Sequence, residues 1–155
     1  MAELKEKIPN ARVGIHELDA ATLSGEKGPK RMKGLTGSMF KMFGGLMKLR
    51  PVKADLLLKD KQVVEGLTVI HTPGHTDGSS CFYYEDAQAI FVGDALRTDG
   101  NGNLLRPAFN ADDEQAMKSI DLIAPLSFEK LYPGHGVPIT EKASEKLASF
   151  IKGPK

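Results

Sequence analysis

Three apolar stretches of this chain each run into a glycine-containing turn that carries a metal-ligand type of residue, and this recurrence constrains the fold most. The first stretch leads to His75, the second to Asp94 and the third to His135. Apolar runs of this length predict strands, and proline and glycine end them, because proline donates no ladder hydrogen bond and glycine adopts angles that other residues resist. We therefore expect three strand ends that each present one such side chain to a cleft.

The composition is that of a single ordinary domain. The chain has 155 residues, a formal net charge of +1, 16 glycines and nine prolines, which favours a turn-rich fold over a helix bundle. The near-zero charge gives no reason to expect a nucleic acid or a membrane as a partner. The single cysteine excludes an internal disulfide, and we see neither a signal peptide nor a membrane-spanning run, so a cytoplasmic location is expected.

Hydrophobic patterns predict a mixed α/β chain whose middle is rich in strands. A helix is predicted to begin after Asn110 as its N-cap, and a last helix after Thr140 as its cap. Cys81 and His16 both fall in predicted strands and are interpreted as buried structural residues. The other predicted elements are a helix end at residues 2–8, strands at 11–18, 56–58, 62–64, 67–70 and 128–132, and a hairpin of strands 80–84 and 87–92.

A basic segment rich in methionine and phenylalanine, residues 30–50, interrupts this order. It contains no acidic residue, and its apolar residues recur at helical spacing, although the pair Gly44 and Gly45 weakens a helix by about 1 kcal/mol per glycine. Three interpretations stay open: a helix packed on the core, a flap over the site whose side chains adapt to a substrate, or a membrane contact. The candidate flap residues are Met39, Phe40, Met42 and Phe43.

His75, Asp94 and His135 together form a plausible ligand set for a metal ion. Two imidazoles and a carboxylate suit Zn²⁺, and also Fe or Mn. The two oxygens of an aspartate at a strand end are able to serve two ions at once. A bound metal lowers the pKa of its water towards neutrality and so generates a nucleophile. Any one of these residues alone would more often be a plain turn residue, but the three together predict a metal site.

The same motifs resemble those of the metallo-β-lactamase superfamily. Residues 71–76, His-Thr-Pro-Gly-His-Thr, are followed by Gly78-Ser79, Gly93-Asp94 and the Pro-Gly-His-Gly of residues 133–136, in the order and spacing of that family's later motifs. The resemblance covers the chain from about residue 8 to its end. It implies an αβ/βα sandwich with a metal cleft at one edge, and hydrolysis of an ester, thioester, lactone, lactam or phosphodiester by a metal-bound hydroxide.

The resemblance also implies a role for individual residues. His75 would be a ligand of a first metal, Asp94 the bridging and catalytic residue, and His135 a ligand of a second metal. A small-molecule substrate is favoured, because no long insert of the nucleic-acid-processing members separates Asp94 from His135. Supporting or structural roles fall to His71, Thr76, Gly74, Gly93, Gly134 and Gly136.

The family's His-x-His-x-Asp-His motif is absent, and only His16 precedes His71. We therefore interpret residues 1–155 as one N-terminally truncated domain that holds at most one weakly bound ion and hydrolyses little or nothing alone. The alternatives are a non-catalytic remnant and a half-enzyme completed by another chain, so whether the chain is itself an enzyme stays open. Missing strands would leave a sheet edge and an apolar face open, which favours a homodimer.

Overall fold

The structure, a computed structural model, describes residues 2–8, 10–28 and 50–153. The flap candidates Met39, Phe40, Met42 and Phe43 lie outside these residues, so their role stays a prediction, as does the single truncated domain. The elements are α1 (Ala2–Lys7), β1 (Gly14–His16), a 3-10 helix (Glu17–Asp19), α2 (Ala20–Leu23), β2 (Leu56–Leu58), β3 (Val63–Val64), β4 (Leu67–His71), β5 (Ser80–Tyr84), β6 (Ala89–Gly93), β7 (Arg97–Thr98), β8 (Leu104–Leu105), α3 (Asp113–Ile123), β9 (Lys130–Pro133) and α4 (Ala143–Lys152).

The principal sheet has five strands in the order β3-β4-β5-β6-β9. β4 pairs antiparallel with β5, β5 antiparallel with β6, and β6 parallel with β9. β4, β6 and β9 therefore run in one direction and end at one edge of the sheet. β1 pairs parallel with β2, and β7 pairs antiparallel with β8. The mixed α/β class expected from the sequence is confirmed.

The main core lies between one face of this sheet and the two long helices. Ile90 and Val92 alternate along β6 and are buried in the same cluster as Leu131 of β9. On α3, Ile120 and Ile123 are buried at helical spacing and pack into that cluster. Cys81 of β5 is fully buried there as well, as the sequence predicted.

The opposite face of the sheet is only partly covered. Val69, Phe82, Phe91 and Tyr132 are successive register partners across β4, β5, β6 and β9, and directly opposite residues share a face. Val69 is fully buried, whereas Phe91 is 41% exposed and stacks on Tyr132 with ring centroids 5.1 Å apart. This row, called the aromatic row because three of its four residues are aromatic, is therefore buried at its β4 end and partly exposed towards β9.

Helix α3 begins later than the sequence predicts. Its N-cap is Asp112, whose side chain accepts from the Gln115 amide at 2.9 Å, and not Asn110. The predicted cap was wrong because the amides of residues 111 and 112 donate to the carbonyls of His75 and Gly74, at 3.2 and 2.9 Å. These bonds keep Asp112 extended, so the helix starts only after it.

The last helix also begins later, at Ala143 rather than directly after Thr140. Ile139 still forms a bridge with Leu131, and the Ala143 amide donates to the Glu129 carbonyl at 3.2 Å. The chain thus follows β9 before it turns into α4, which corrects the predicted cap. In the part of the chain that the structure describes, no helix is long and apolar enough to cross a membrane.

Candidate metal centre

The three predicted ligand residues lie together at the edge where β4, β6 and β9 end. His75 Nε2 lies 3.6 Å from Asp94 Oδ2, and His135 Nε2 lies 3.3 Å from Asp94 Oδ1. Asp94 therefore stands between the two imidazoles and offers each a different oxygen. The shared direction of the three strands brings these residues together, although 60 positions separate the two histidines in the sequence.

The ring of His75 is held in one orientation by a backbone carbonyl. Its Nδ1 lies 3.2 Å from the carbonyl oxygen of Ala108, which only accepts hydrogen bonds, so Nδ1 carries the proton. In the neutral ring the lone pair is then on Nε2, the nitrogen that faces Asp94. Histidines that bind metals are held in this way, with the second ring nitrogen donating to a carbonyl or carboxylate.

The donor atoms fit two partial metal positions better than one complete one. Two ligands of a tetrahedral zinc ion lie about 3.4 Å apart, given bonds of about 2.1 Å. Each His–Asp94 pair matches that separation, but through a different carboxylate oxygen. Within residues 2–8, 10–28 and 50–153, no three His, Cys, Asp or Glu side chains are grouped to hold one ion. The arrangement would suit a carboxylate shared between two metal positions. Each position would then have one histidine and one oxygen of Asp94 as its protein ligands.

Helix α3 holds the turn that carries His75. The Ser119 hydroxyl donates to the Pro73 carbonyl at 2.6 Å, and Ser119 is only 1% exposed. Gly74 lies against the backbone of Ala116, so closely that a side chain at residue 74 would collide with it. The predicted structural role of Gly74 thus has a definite physical basis in this contact.

The turns of Asp94 and His135 are joined directly to each other. The register between β6 and β9 shifts between Phe91 and Gly93, just before Asp94. Beyond the shift, the Gly134 amide donates to the Gly93 carbonyl at 2.8 Å. β7 adds a further bond, from the Thr98 amide to the His135 carbonyl at 3.1 Å. The backbone of His135 is therefore tied on two sides. Gly136 packs on Thr98.

The site is open to solvent. The side chain of His135 is 74% exposed, that of Asp94 36% and that of His75 27%. Two surface clefts among the described residues lie elsewhere: one of about 370 Å³ is lined by residues 100–102 and 137–141 with Lys146, and one of about 400 Å³ by Lys5, Glu6 and residues 51–53. The three predicted ligand residues are thus placed on an accessible edge rather than in either of these clefts.

His16, which is buried, and His71, which is half-buried, stack on each other beside this edge. Their ring centroids lie 4.2 Å apart with an interplanar angle of 11°. His71 Nε2 donates to the Asp77 carbonyl at 2.8 Å, and His16 Nδ1 accepts from the Leu18 amide at 3.4 Å. Burial, and then the nearby His71, lower the pKa of His16. The structure places both rings in packing and turn contacts, and the structural roles expected for them stay predictions.

Three supporting contacts were missed by the sequence analysis. They are the Ala108 carbonyl that holds His75, the Ser119 hydroxyl on Pro73, and the Asp19 carboxylate, which binds Thr76 and Gly78. A backbone carbonyl leaves no residue signal. Asp19 and Ser119 precede or follow their partners by more than 40 positions, so no local pattern marks them.

The fold and the site define an α/β protein with a candidate metal centre at the common edge of three parallel-running strands. A sequence profile of the metallo-beta-lactamase superfamily matches residues 1–135, most of the chain. The chain therefore belongs to the metallo-beta-lactamase superfamily, which confirms the resemblance noted in its motifs.

Similar proteins differ in what is known of them. YobT of Bacillus subtilis, an uncharacterized protein, is 30% identical over 98% of this chain and 67% of its own length. An atrochrysone carboxyl ACP thioesterase of Aspergillus fumigatus is 35% identical over 68% of this chain. The crystal structure of TTHA1623 in a di-iron-bound form has a TM-score of 0.66 at 26% identity, and covers 90% of this chain and 64% of that one. The matched region is about a third of the length of several curated relatives.

Proposed function

We propose that this chain provides the His75–Asp94–His135 part of a metal centre in a hydrolase of small-molecule esters, thioesters, lactones or lactams. The observation that carries the proposal is the orientation of His75. Its Nδ1–H donates a hydrogen bond to the Ala108 carbonyl, and its Nε2 faces Asp94 at the distance expected for two ligands of one ion. The thioesterase relative supports an acyl substrate, and membership of the superfamily supports hydrolysis.

Each residue has a distinct part in this proposal. Asp94 would hold metal jointly with the two histidines, because it offers one oxygen to His75 and the other to His135. Imidazole and carboxylate ligands favour zinc, with iron or manganese as alternatives, and the relative TTHA1623 holds two irons. When bound, such a metal polarises a substrate carbonyl and lowers the pKa of water. The protein itself orients His75 and leaves the His135 side open for a substrate to approach.

The number of ligands limits what the chain does alone. Each position has two protein ligands among the described residues, whereas catalytic zinc sites normally have three and an open position. We therefore expect at most one weakly held ion per chain and little or no hydrolysis by the isolated chain. The same shortage favours a second candidate, in which the chain binds without catalysing or is completed by another chain.

A zinc titration of the purified protein tests the site. Asp94→Ala should lower zinc affinity at least 10-fold, because both positions share Asp94, and alanine at whichever of His75 and His135 holds the ion should do the same. Asp86→Ala is the matched control, since Asp86 is exposed in the turn between β5 and β6, at the opposite end of β6. Unchanged binding in both histidine variants would show that the site lies elsewhere.

Hydrolysis assays separate the two candidate functions. Pure protein is given thioester, lactone and nitrocefin-type substrates with zinc, and then with a chelator. Turnover that the chelator abolishes and zinc restores would establish the isolated chain as a hydrolase. Strong turnover would contradict our expectation, because two protein ligands per metal position predict little or no activity. Zinc binding without turnover would support the second candidate.

A further inference from the structure

We propose that Asp19 is a positioning residue for the metal centre and fixes the turn that carries His75. It belongs to the 3-10 helix after β1, and it acts through Thr76 and Gly78, which follow His75. The inference rests on the metal role proposed for His75. It adds to that role a residue from a distant part of the chain, without which the imidazole is not held towards Asp94.

The carboxylate of Asp19 spans the turn with both of its oxygens. Oδ2 accepts from the Thr76 hydroxyl at 2.5 Å, and Oδ1 accepts from the Gly78 amide at 3.0 Å. The two bonds therefore hold the residues on either side of Asp77. Hydrogen bonds to a carboxylate are stronger than those between neutral groups, which suits a contact that must hold a loop.

The direction of each neighbouring hydrogen bond follows from this contact. An ionised carboxylate only accepts, so the Thr76 hydroxyl donates to Asp19. The Ser79 hydroxyl, 2.7 Å from the Thr76 oxygen, then donates to it, and the Ser79 oxygen accepts from the Thr76 amide at 2.9 Å. The turn is thus closed by an ordered chain of bonds that ends on Asp19.

Gly78 is required for the carboxylate to come this close. A Cβ built on Gly78 would stand 2.8 Å from Asp19 Cγ and 3.0 Å from its amide nitrogen. Real Cβ atoms do not approach other heavy atoms so closely, so a side chain at this position would push Asp19 away. The glycine and the aspartate are therefore two halves of one contact, although 59 positions separate them.

The two sides of the turn are held by different elements. Helix α3 and the residues before it bind the first half, through Ser119 on Pro73 and the amides of residues 111 and 112 on His75 and Gly74. Asp19 binds the second half. With Asp19 removed, the backbone after His75 loses two of its bonds and keeps the one from His71 to the Asp77 carbonyl, while the backbone before it keeps all of its contacts with α3. The His75 ring then loses its alignment between the Ala108 carbonyl and Asp94.

The experiment compares three variants of the full chain. Asp19→Ala removes both bonds. Asp19→Asn keeps them in neutral form, because its oxygen accepts from Gly78 while its amide donates to the Thr76 oxygen, whose hydroxyl then turns to Ser79. Asp55→Ala is the matched control: Asp55 also accepts two bonds, from the Val13 amide at 2.8 Å and from the Lys5 side chain at 2.5 Å, and neither involves residues 74–79.

Two measurements are made on each variant. Zinc affinity should fall on the order of 10–100-fold in Asp19→Ala, as is typical for residues that support a ligand, and by less than about threefold in Asp19→Asn and Asp55→Ala. Long-range ¹H–¹⁵N spectra of the metal-free protein report which nitrogen of His75 carries the proton. The Nδ1–H form should dominate in the wild type, in Asp19→Asn and in Asp55→Ala, and should give way to a mixture in Asp19→Ala.

Several results would overturn the proposal. These are wild-type zinc affinity in Asp19→Ala, an equal loss in Asp55→Ala, or no rescue by Asp19→Asn. If the wild type binds no zinc, the proposed function fails, and the tautomer of His75 in the metal-free variants still decides the role of Asp19. If Asp19→Ala does not fold, Thr76→Val takes its place, because it removes one of the two bonds to Asp19, together with the bond to Ser79, and keeps the shape. Unchanged zinc affinity and an unchanged His75 spectrum in that variant would reject the proposal.

Discussion

Gly74 lies directly against the backbone of Ala116 in helix α3. A Cβ built on Gly74 would stand 2.3 Å from the Ala116 amide nitrogen and 2.4 Å from its Cα. Gly74 also has a φ of +136°, a conformation that glycine adopts and L side chains rarely do. The turn that carries His75 and the first turns of α3 are therefore packed as one unit.

Gly74→Ala should be among the most damaging single substitutions in the chain. The added methyl group meets backbone that is unable to move aside, and the positive φ adds strain, so we expect a loss of more than about 3 kcal/mol in the free energy of unfolding. Gly100→Ala is the control, because its Cβ would meet nothing within 4 Å; a loss below about 0.5 kcal/mol is expected there. Urea unfolding measures both, and equal losses would contradict the packing described.

Ser119→Ala should destabilise the same unit by a different route. Its hydroxyl donates to the Pro73 carbonyl at 2.6 Å in a buried position, so the alanine variant leaves that carbonyl without this partner. We expect a loss of about 1–3 kcal/mol. Ser149→Ala removes a similar side-chain-to-carbonyl bond on the exposed face of α4 and should change stability by less than about 0.5 kcal/mol. A Ser119 variant as stable as the Ser149 variant would refute this.

The buried His16 should make the fold sensitive to acid. Burial and the neighbouring His71 lower the pKa of His16, while Glu17, Asp19 and Asp60 oppose the shift. Below about pH 6.5 the unfolded chain takes up a proton more readily than the folded one, so the free energy of unfolding falls as the pH falls. Above about pH 6.5 His16 is neutral in both states, and its contribution to stability is complete. His16→Phe keeps a ring to stack on His71 and removes the titration. Its urea midpoint should therefore change less between pH 7.5 and 5.5 than that of the wild type; parallel changes would count against this account.

Cys81 should make the fold sensitive to alkali. Burial raises the pKa of its thiol to about 12, although a hydrogen bond with Thr72 opposes the shift. Above about pH 9 the unfolded chain releases a proton that the folded chain keeps, so stability should fall as the pH rises, by up to about 1.4 kcal/mol per pH unit. Cys81→Ala removes this slope, whatever its effect at neutral pH. The measurement is urea unfolding between pH 8 and 10.5, and an equally steep fall in the variant would contradict the assignment.

The open half of the aromatic row leads us to expect a homodimer. Phe91 is 41% exposed and Tyr84 37%, on a sheet face whose β4 end is buried, and apolar patches of this kind favour association. Phe91→Thr should shift the protein towards monomer, whereas Leu122→Thr, at an exposed position of α3, should not. Light scattering gives the mass and thermal unfolding its dependence on concentration. A wild-type mass near 16.8 kDa, with a melting temperature independent of concentration, would rule the dimer out.

Much of the candidate site could be predicted from short stretches of the sequence. The apolar runs, the glycines and prolines that end them, and the residues His75, Asp94 and His135 all lie within short windows. A strand end and a tight turn are properties of neighbouring residues, so these windows were sufficient to predict strand ends, the mixed α/β class and the family. The burial of Cys81 followed from the same alternation of apolar residues.

Other features were decided only by tertiary structure. The starts of α3 and α4 were misplaced because amides near both helices bond to distant segments instead of starting a helix. The proton on His75 is placed by a carbonyl 33 positions away, and the turn beside it is held by Asp19, 57 positions away. A single sequence shows which residues are able to make such bonds, but not which of them meet. Those meetings depend on the direction of β4, β6 and β9 and on how the helices pack against them.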